Sequence, residues 1–250
     1  MKIAFFDSGI GGLSVLNDAY KALPNESYIY FADTDNVPYG IKSNDDIREL
    51  VFDAVNFLAQ FQLKALVLAC NTATSVVIKQ LREQFDFPII GMEPAVKPAT
   101  ANTTKKVLVC ATERTLQEGK LDFLINNLNA SERVEKCSLQ DLVLYAENFD
   151  FHSPNILVYL NEIFGKIDWD NFDSIVLGCT HFIFFKPLFE EILPSHISIL
   201  DGNLGTVNRL SSLIAPNLSN DQKSPTKFYQ SKREVPYIYF DHYIRYLNEI

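Results

Sequence analysis

Short apolar runs alternate with amphipathic stretches along most of the chain. Residues 3–6, 28–32 and 65–69 are apolar runs of strand length, which are typical of strands buried in a parallel sheet. Residues 44–61 instead carry apolar side chains at helical spacing, and Asn44 is a capping type at their start. Strands that alternate with helices in this way predict a mostly parallel sheet covered by helices.

The alternation is interrupted once and then restarts. Residues 92–106 contain two prolines and a threonine-rich patch, after which a new apolar run begins at residue 107. We therefore predict an α/β fold of two similar parallel-sheet domains that face each other across a central cleft. The first domain is predicted to comprise residues 1–98 and 207–250, and the second to comprise residues 99–206.

The C-terminal part of the chain is more polar. Residues 217–233 are polar and contain lysines, which is typical of a solvated loop. Residues 237–250 contain tyrosines among apolar residues, and we expect a closing strand and helix there.

Composition and charge narrow the class of protein. The 250 residues are 47% hydrophobic and 21% charged, which fits a globular protein with a substantial core. The net charge of −9 argues against nucleic acid or an anionic membrane as a partner, because both attract basic surfaces. No apolar run is long enough to span a membrane, and Asp7 interrupts the N-terminal run before a signal-peptide core could form. We expect a cytoplasmic location.

Two of the four cysteines share a sequence context. Cys70 and Cys179 each end an apolar run and are directly followed by Asn71-Thr72 and Thr180-His181, whereas Cys110 and Cys137 are not directly followed by Asn, Thr or His and are interpreted as structural. No two cysteines have the C-x-x-C spacing of a zinc ribbon or a thioredoxin, so we expect free thiols and no metal.

The two shared motifs predict a paired acid/base site. Ligands of open parallel sheets bind at the carboxyl ends of the strands, where Asp7, Ser8, Cys70 and Cys179 are all predicted to lie. Two facing domains would bring the thiols together across the cleft. A thiol at a helix N-terminus has a lowered pKa and can act as acid or base. Each cysteine alone could equally be a buried, inert side chain, and the repeated context favours the functional interpretation.

The neighbours of the two thiols have structural and functional interpretations. Asn71, Thr72 and Thr180 are helix-capping types that could also surround a substrate carboxylate. Asp7 fits either a turn or an ammonium-binding role. His181 fits either a hydrogen-bonded packing role or proton transfer, because imidazole titrates near neutral pH.

The Pro-Tyr-Gly turn around Tyr39 and Gly40 is a further candidate. Such a turn could close over a substrate, although turn chemistry alone would account for both residues.

A nucleotide cofactor is not expected. Gly9 and Gly11 follow the first strand as in a dinucleotide motif. However, Ser14 occupies the third glycine position, and Asp7 would place a negative charge beside the pyrophosphate.

Five motifs together resemble the cofactor-independent glutamate racemases of the aspartate/glutamate racemase family. They occur in the family's order, from residue 6 to residue 182: Phe6-Asp7-Ser8-Gly9-Ile10-Gly11-Gly12-Leu13-Ser14-Val15, Val37-Pro38-Tyr39-Gly40, Ala69-Cys70-Asn71-Thr72-Ala73, Gly91-Met92-Glu93-Pro94-Ala95-Val96-Lys97-Pro98-Ala99 and Gly178-Cys179-Thr180-His181-Phe182.

The resemblance implies a fold, an activity and a set of site residues. The fold would be two α/β domains with the site between them, and the activity would interconvert L- and D-glutamate for peptidoglycan without a cofactor. Cys179 would act on the L-enantiomer and Cys70 on the D-enantiomer, with help from Asp7 and His181. A homodimer is the family expectation. The substrate contacts it implies are Asp7, Ser8, Tyr39, Gly40, Asn71, Thr72, Thr180 and His181.

The chain departs from the family pattern in two places. Ile183 stands where the family usually has proline, and the family's Pro-Leu-Val-Glu-Glu-like segment is absent around residues 142–147, where Glu147 is a possible replacement for its glutamate. Two alternatives stay open: a relative that uses the same cysteines on aspartate or another acid, or for isomerisation, and a silent relative that binds an amino acid or a protein partner.

Overall fold

A computed structural model describes residues 1–101, 103–219 and 223–250. Its backbone forms two separate sheets with helices around them. No helix in this described part of the chain has the length and apolarity needed to cross a membrane.

The first sheet has six strands in the order β10-β9-β2-β1-β3-β4, and only the β9/β10 pair is antiparallel. The strands are β1 (Lys2–Asp7), β2 (Tyr28–Ala32), β3 (Leu63–Leu68), β4 (Ile89–Gly91), β9 (Lys227–Gln230) and β10 (Arg233–Val235). The helices before β4 and at the C-terminal end are α1 (Leu13–Ala22), α2 (Asn44–Ala59), α3 (Asn71–Gln84), α10 (Asn203–Leu213) and α11 (Ile238–Glu249).

The second sheet has four parallel strands in the order β6-β5-β7-β8. The strands are β5 (Lys106–Ala111), β6 (Val134–Ser138), β7 (Phe172–Leu177) and β8 (Ser198–Asp201). The intervening helices are α4 (Val96–Thr100), α5 (Glu113–Gln117), α6 (Gly119–Asn127), α7 (Leu142–Glu147), α8 (Pro154–Phe164) and α9 (Lys186–Ile192), with 3₁₀ turns at Tyr39–Ile41, Trp169–Asn171 and Thr180–Phe185.

Strand β1 shows why these apolar runs form central strands. Ile3 and Phe5 pack into one apolar cluster, and Ala4 and Phe6 pack into another, so successive side chains fill the two faces of the sheet. The first of these clusters continues into the second sheet, where Ile175 belongs to it. The predicted α/β fold with parallel sheets is therefore confirmed, while the domain limits, residues 1–98 with 207–250 and residues 99–206, remain a prediction.

Two local predictions for the C-terminal part were wrong. Residues 217–233, expected as a loop, include β9 and the start of β10, because Phe228 and Tyr229 bury their side chains while the polar neighbours stay at the sheet edge. The tail after residue 237 forms helix α11 alone, without a further strand. Residues 220–222 of the same segment lie outside the described residues.

The cap of α2 was also misplaced by one residue. Ser43, rather than Asn44, has the extended backbone of an N-cap, and its hydroxyl accepts a hydrogen bond from the Asp46 N–H at 3.1 Å. Asn44 is already inside the helix, and its Oδ1 is buried without a hydrogen-bond partner.

Substitution at the cap should therefore distinguish these two neighbours. Ser43→Ala is expected to lower the free energy of unfolding by about 1 kcal/mol, because it leaves a helix N–H without its acceptor. Asn44→Ala is the matched control and should cost less than half of that. Urea unfolding of both variants measures the difference, and an equal loss in the two would contradict the assignment of the cap to Ser43.

Candidate active site

The predicted site residues converge on one cavity between the two sheets. Its lining includes every residue predicted for the site except Asp7, and it adds Thr112 and Val143, which the sequence did not single out. The lining consists of Ser8, Tyr39, Gly40, Cys70, Asn71, Thr72, Thr112, Val143, Cys179, Thr180 and His181. Among the described residues, no cluster of three or more His, Cys, Asp or Glu side chains is suited to holding a metal ion.

Cys70 follows the end of strand β3 by two residues and is the N-cap of helix α3. Its Sγ accepts a hydrogen bond from the Ala73 N–H at 3.4 Å and donates to Ser8 Oγ at 3.6 Å. The side chain is 6% exposed. Burial and the nearby charge of Asp7 raise the pKa of Cys70 to about 12, and the two hydrogen bonds offset only part of this increase. The prediction of a lowered pKa at this helix N-terminus is therefore wrong for Cys70.

Cys179 follows strand β7 in a different local setting. The chain after it forms the 3₁₀ turn Thr180–Phe185, so the expected helix begins only at Lys186. Cys179 Sγ lies 3.6 Å from Nδ1 of His181 and is 7% exposed. Ile183, which replaces the family's proline, is buried inside this turn.

His181 links Cys179 to Glu147. Its Nε2 lies 2.6 Å from Glu147 Oε1, on the side of the ring opposite the contact with Cys179. Burial lowers the pKa of His181, but the hydrogen bonds and charges of Cys179 and Glu147 raise it more, so the net pKa is above its usual value.

Glu147 is fixed by both halves of the protein. It ends helix α7, and its Oε1 also accepts the backbone N–H of Ile10 at 2.8 Å. The hydroxyl of Tyr243, on the C-terminal helix, donates to the Glu147 carbonyl at 2.7 Å. The sequence named Glu147 only as a possible replacement for the family's glutamate, and this geometry supports that role.

Asp7 is fully buried at the end of β1. Its Oδ1 accepts the Gly9 N–H at 3.0 Å, as in a turn, and its Oδ2 accepts the Thr180 hydroxyl at 3.1 Å from the other side of the cleft. The turn-forming interpretation is therefore confirmed, and the ammonium-binding role of Asp7 stays a prediction. Burial raises the pKa of Asp7 to about 6, and His181, Gly9 and Thr180 limit the increase.

The glycines after β1 make room for the groups that cross the cleft. A Cβ on Gly9 would lie 1.8 Å from Glu147 Oε1, and one on Gly11 would lie 2.3 Å from Thr180 Oγ1. The two glycines that resembled a dinucleotide motif thus allow close approach of side chains from the second sheet.

The turn with Tyr39 and Gly40 borders the cavity from the first sheet. The Tyr39 hydroxyl donates to Asp33 Oδ2 at 2.6 Å, and Asp33 also accepts hydrogen bonds from Asn36 and Ser231. Burial and the charge of Asp33 raise the pKa of Tyr39 far above its usual value. Tyr39 is therefore a neutral hydrogen-bond donor in this site.

Three threonine hydroxyls form a buried triangle across the cleft. Thr72 Oγ1 lies 2.9 Å from Thr112 Oγ1 and 3.2 Å from Thr115 Oγ1, and Thr112 donates to Thr115 at 3.0 Å. The sequence singled out only Thr72. Thr112 directly follows strand β5, so the rule that ligands bind beyond the carboxyl ends of strands could have identified it.

Asp7 should make stability depend on pH with a definite sign. Its folded pKa of about 6 exceeds the usual value of 3.8, so the folded protein takes up a proton that the unfolded chain releases. Relative to Asp7→Asn, the wild type should therefore lose about 2 kcal/mol of unfolding free energy between pH 4 and pH 7.

Urea unfolding at four pH values between 4 and 7 measures that difference. Asp35→Asn is the control, because Arg233 lowers the pKa of the exposed Asp35 carboxylate and any pH effect should have the opposite sign. A pH-independent difference between Asp7→Asn and the wild type would contradict the raised pKa of Asp7.

Comparisons with known proteins agree with this geometry. The family model described as Asp/Glu/Hydantoin racemase matches residues 12–210. The glutamate racemase of Campylobacter concisus (strain 13826) is 50% identical over 94% of this chain and 91% of its own length. Glutamate racemase 2 of Bacillus subtilis (strain 168) is 50% identical over 86% of this chain and 82% of its own.

Solved structures give the same result. The crystal structure of glutamate racemase from Campylobacter jejuni subsp. jejuni superposes with a TM-score of 0.85 at 27% identity, covering 99% of this chain and 98% of that one. The crystal structure of Escherichia coli glutamate racemase, in complex with L-glutamate and the activator UDP-MurNAc-Ala, superposes with a TM-score of 0.77 at 32% identity. The match covers 86% of this chain and 84% of that one. The chain belongs to the Asp/Glu/hydantoin racemase family.

Proposed function

We propose that this protein is a glutamate racemase that interconverts L- and D-glutamate by proton transfer at the α-carbon, without a cofactor. The observation that carries the proposal is the cavity with Cys70 on one sheet and Cys179 on the other. Racemisation needs a base on one face of the α-carbon and an acid on the opposite face, and two thiols from facing sheets supply that pair. The relatives named glutamate racemase identify glutamate as the substrate.

The two thiols have different neighbours. Burial and the charge of Asp7 keep Cys70 protonated, whereas Cys179 faces His181, which in this mechanism accepts the proton of that thiol. For L-glutamate, the Cys179 thiolate removes the α-proton to give a planar carbanion, and the Cys70 thiol delivers its proton to the other face. The product is D-glutamate with a Cys70 thiolate and a Cys179 thiol, and the reverse reaction exchanges the two roles.

The surrounding groups hold the two ends of the amino acid. We place the α-carboxylate at Asn71, Thr72 and Thr180, which offer hydroxyl, amide and backbone N–H donors, and these donors also stabilise the charge that develops on the carboxylate. We place the ammonium at Asp7. The side-chain carboxylate then reaches Ser8 and the turn formed by Tyr39 and Gly40.

Substrate binding itself would adjust the thiol pair. The charge of Asp7 is one of the causes that raise the pKa of Cys70. An ammonium group paired with Asp7 cancels that charge and lowers the pKa of Cys70. A lower pKa makes this thiol a better proton donor to the carbanion.

The reduced thiols fit a cytoplasmic enzyme that supplies D-glutamate for peptidoglycan. All four cysteines are free, which is the usual state in a reducing compartment. A homodimer is part of the proposal only as the expectation for the family.

The two-thiol mechanism predicts that each cysteine is required. Incubation with L-glutamate in D₂O, without any cofactor, should give loss of optical activity and deuterium at the α-carbon. Cys70→Ala and Cys179→Ala should each lower racemisation at least about 100-fold, because each removes one of two general acid/base groups. Cys137→Ala is the matched control, since this thiol lies in strand β6 away from the cavity.

Two outcomes would count against this proposal. Full activity in both active-site variants would exclude the two-thiol mechanism. Faster turnover of aspartate than of glutamate by the wild type would assign the same cysteine pair to another acid, and binding without turnover would favour a silent relative.

Glu147 should act through His181 rather than on the substrate. Glu147→Gln keeps the hydrogen-bonding shape but removes the negative charge, which lowers the pKa of His181. We expect kcat to fall about 100-fold with KM within threefold, and the acidic limb of the pH–rate profile to shift. Glu162→Gln, at an exposed position of α8, is the control. An unchanged pH profile would limit Glu147 to a packing role.

A further inference from the structure

Gln140 lies against Gly40, a residue of the cavity lining, and has no part in the mechanism described above. It lies between strand β6 and helix α7, at the carboxyl end of the second sheet, where Thr112 also follows its strand. The side chain is 8% exposed, and its Oε1 is fully buried without a hydrogen-bond partner. A buried amide oxygen without a partner costs free energy, so a side chain of this kind requires an explanation.

The unpartnered amide oxygen of Gln140 is directed at the turn formed by Tyr39 and Gly40. A Cβ on Gly40 would lie 2.1 Å from Gln140 Oε1 and 2.8 Å from the Cβ of Thr112. Gln140 and Thr112 therefore enclose Gly40 from the second sheet, and only glycine leaves space for this approach. Gly40 itself lines the cavity, so the carboxamide lies directly behind its wall.

The charge of the cavity defines what the carboxamide is suited to bind. No lysine or arginine is among the residues that line the cavity in the described part of the chain. Asp7, which is fully buried, lies next to it. A second carboxylate on the substrate must therefore be held by neutral donors, which are backbone N–H groups, hydroxyls and amides.

We propose that Gln140 is a specificity-determining residue that binds the side-chain carboxylate of the substrate beside Gly40. This inference rests on the proposed function, which places a dicarboxylic amino acid with its distal end at the Tyr39 and Gly40 turn. A half-turn about the terminal bond of the Gln140 side chain replaces Oε1 with the amide N–H₂ group. The same position then offers a donor in place of the unpartnered acceptor.

This placement favours a five-carbon diacid over a shorter one. The α-carbon is fixed between the two thiols, so a distal carboxylate reaches Gly40 and Gln140 only if the side chain is long enough. A site with a dedicated donor also discriminates against an analogue that lacks the matching acceptor, because the donor is then left unpaired. Gln140 would thus select both the length and the charge of the substrate side chain.

Kinetics with two Gln140 variants test the inference. Gln140→Glu places a like charge beside the distal carboxylate, and we expect KM for glutamate to rise at least about tenfold with kcat within threefold. Glutamine, with a neutral distal amide, should compete better in this variant, so the ratio of its Ki to KM for glutamate should fall about tenfold. Gln140→Met keeps the size without the donors and should raise KM about fivefold.

Gln80→Glu is the matched control, because it makes the same charge change at an exposed position of helix α3. KM values within twofold of the wild type in both folded Gln140 variants would overturn the inference, as would equal effects on glutamate and glutamine. If Gln140→Glu does not fold, Gln140→Met provides the result. If the wild type binds glutamate but does not turn it over, the proposed function fails and the same comparison is made with Kd values.

Discussion

Thr180 donates a hydrogen bond to Asp7 across the cleft, and Glu147 accepts one from the backbone of Ile10. These contacts join groups at the carboxyl end of the second sheet to the turn after β1, and they bury charge where water is excluded. The arrangement depends on Gly9, because a side chain there would occupy the position of the Glu147 carboxylate. The acid/base groups thus keep their positions only while the two sheets stay in contact.

Cys70 and Cys179 are both buried, but different groups surround the two thiols. Cys70 faces a carboxylate and a hydroxyl, and its pKa is raised, whereas Cys179 faces an imidazole that Glu147 holds in place. The two thiols therefore lie among different neighbours, and in the proposed mechanism they take different roles in each direction of the reaction.

Much of this organisation could be predicted from sequence, because it depends on residues close to strand ends. The positions of Asp7, Cys70 and Cys179 follow from apolar runs that end at polar residues, and parallel sheets bring such ends together. Glu147 was harder to place, since its role depends on a contact with His181 thirty-four residues later. The prediction of a lowered pKa for Cys70 was wrong, because the sequence shows that the residue precedes a helix but does not show how deeply it is buried. Ser43 and strand β9 were missed because local composition alone does not specify which residue caps a helix or whether a polar segment adds a strand to a sheet.

The absence of lysine and arginine from the described cavity lining has a chemical reason within this arrangement. A fixed cation near the α-carbon would add a further charge that acts on both thiols, beside those of Asp7, His181 and Glu147. Neutral donors bind carboxylates with directional hydrogen bonds and leave the charge balance at the thiols to Asp7, His181, Glu147 and the substrate ammonium. In the proposed mechanism, the substrate ammonium is then the charge that is added on binding, so the pKa of Cys70 falls when the site is occupied. On this reasoning, the proposed recognition of the substrate by neutral groups of the cavity lining, such as Thr72 and Thr112, is part of the acid/base chemistry.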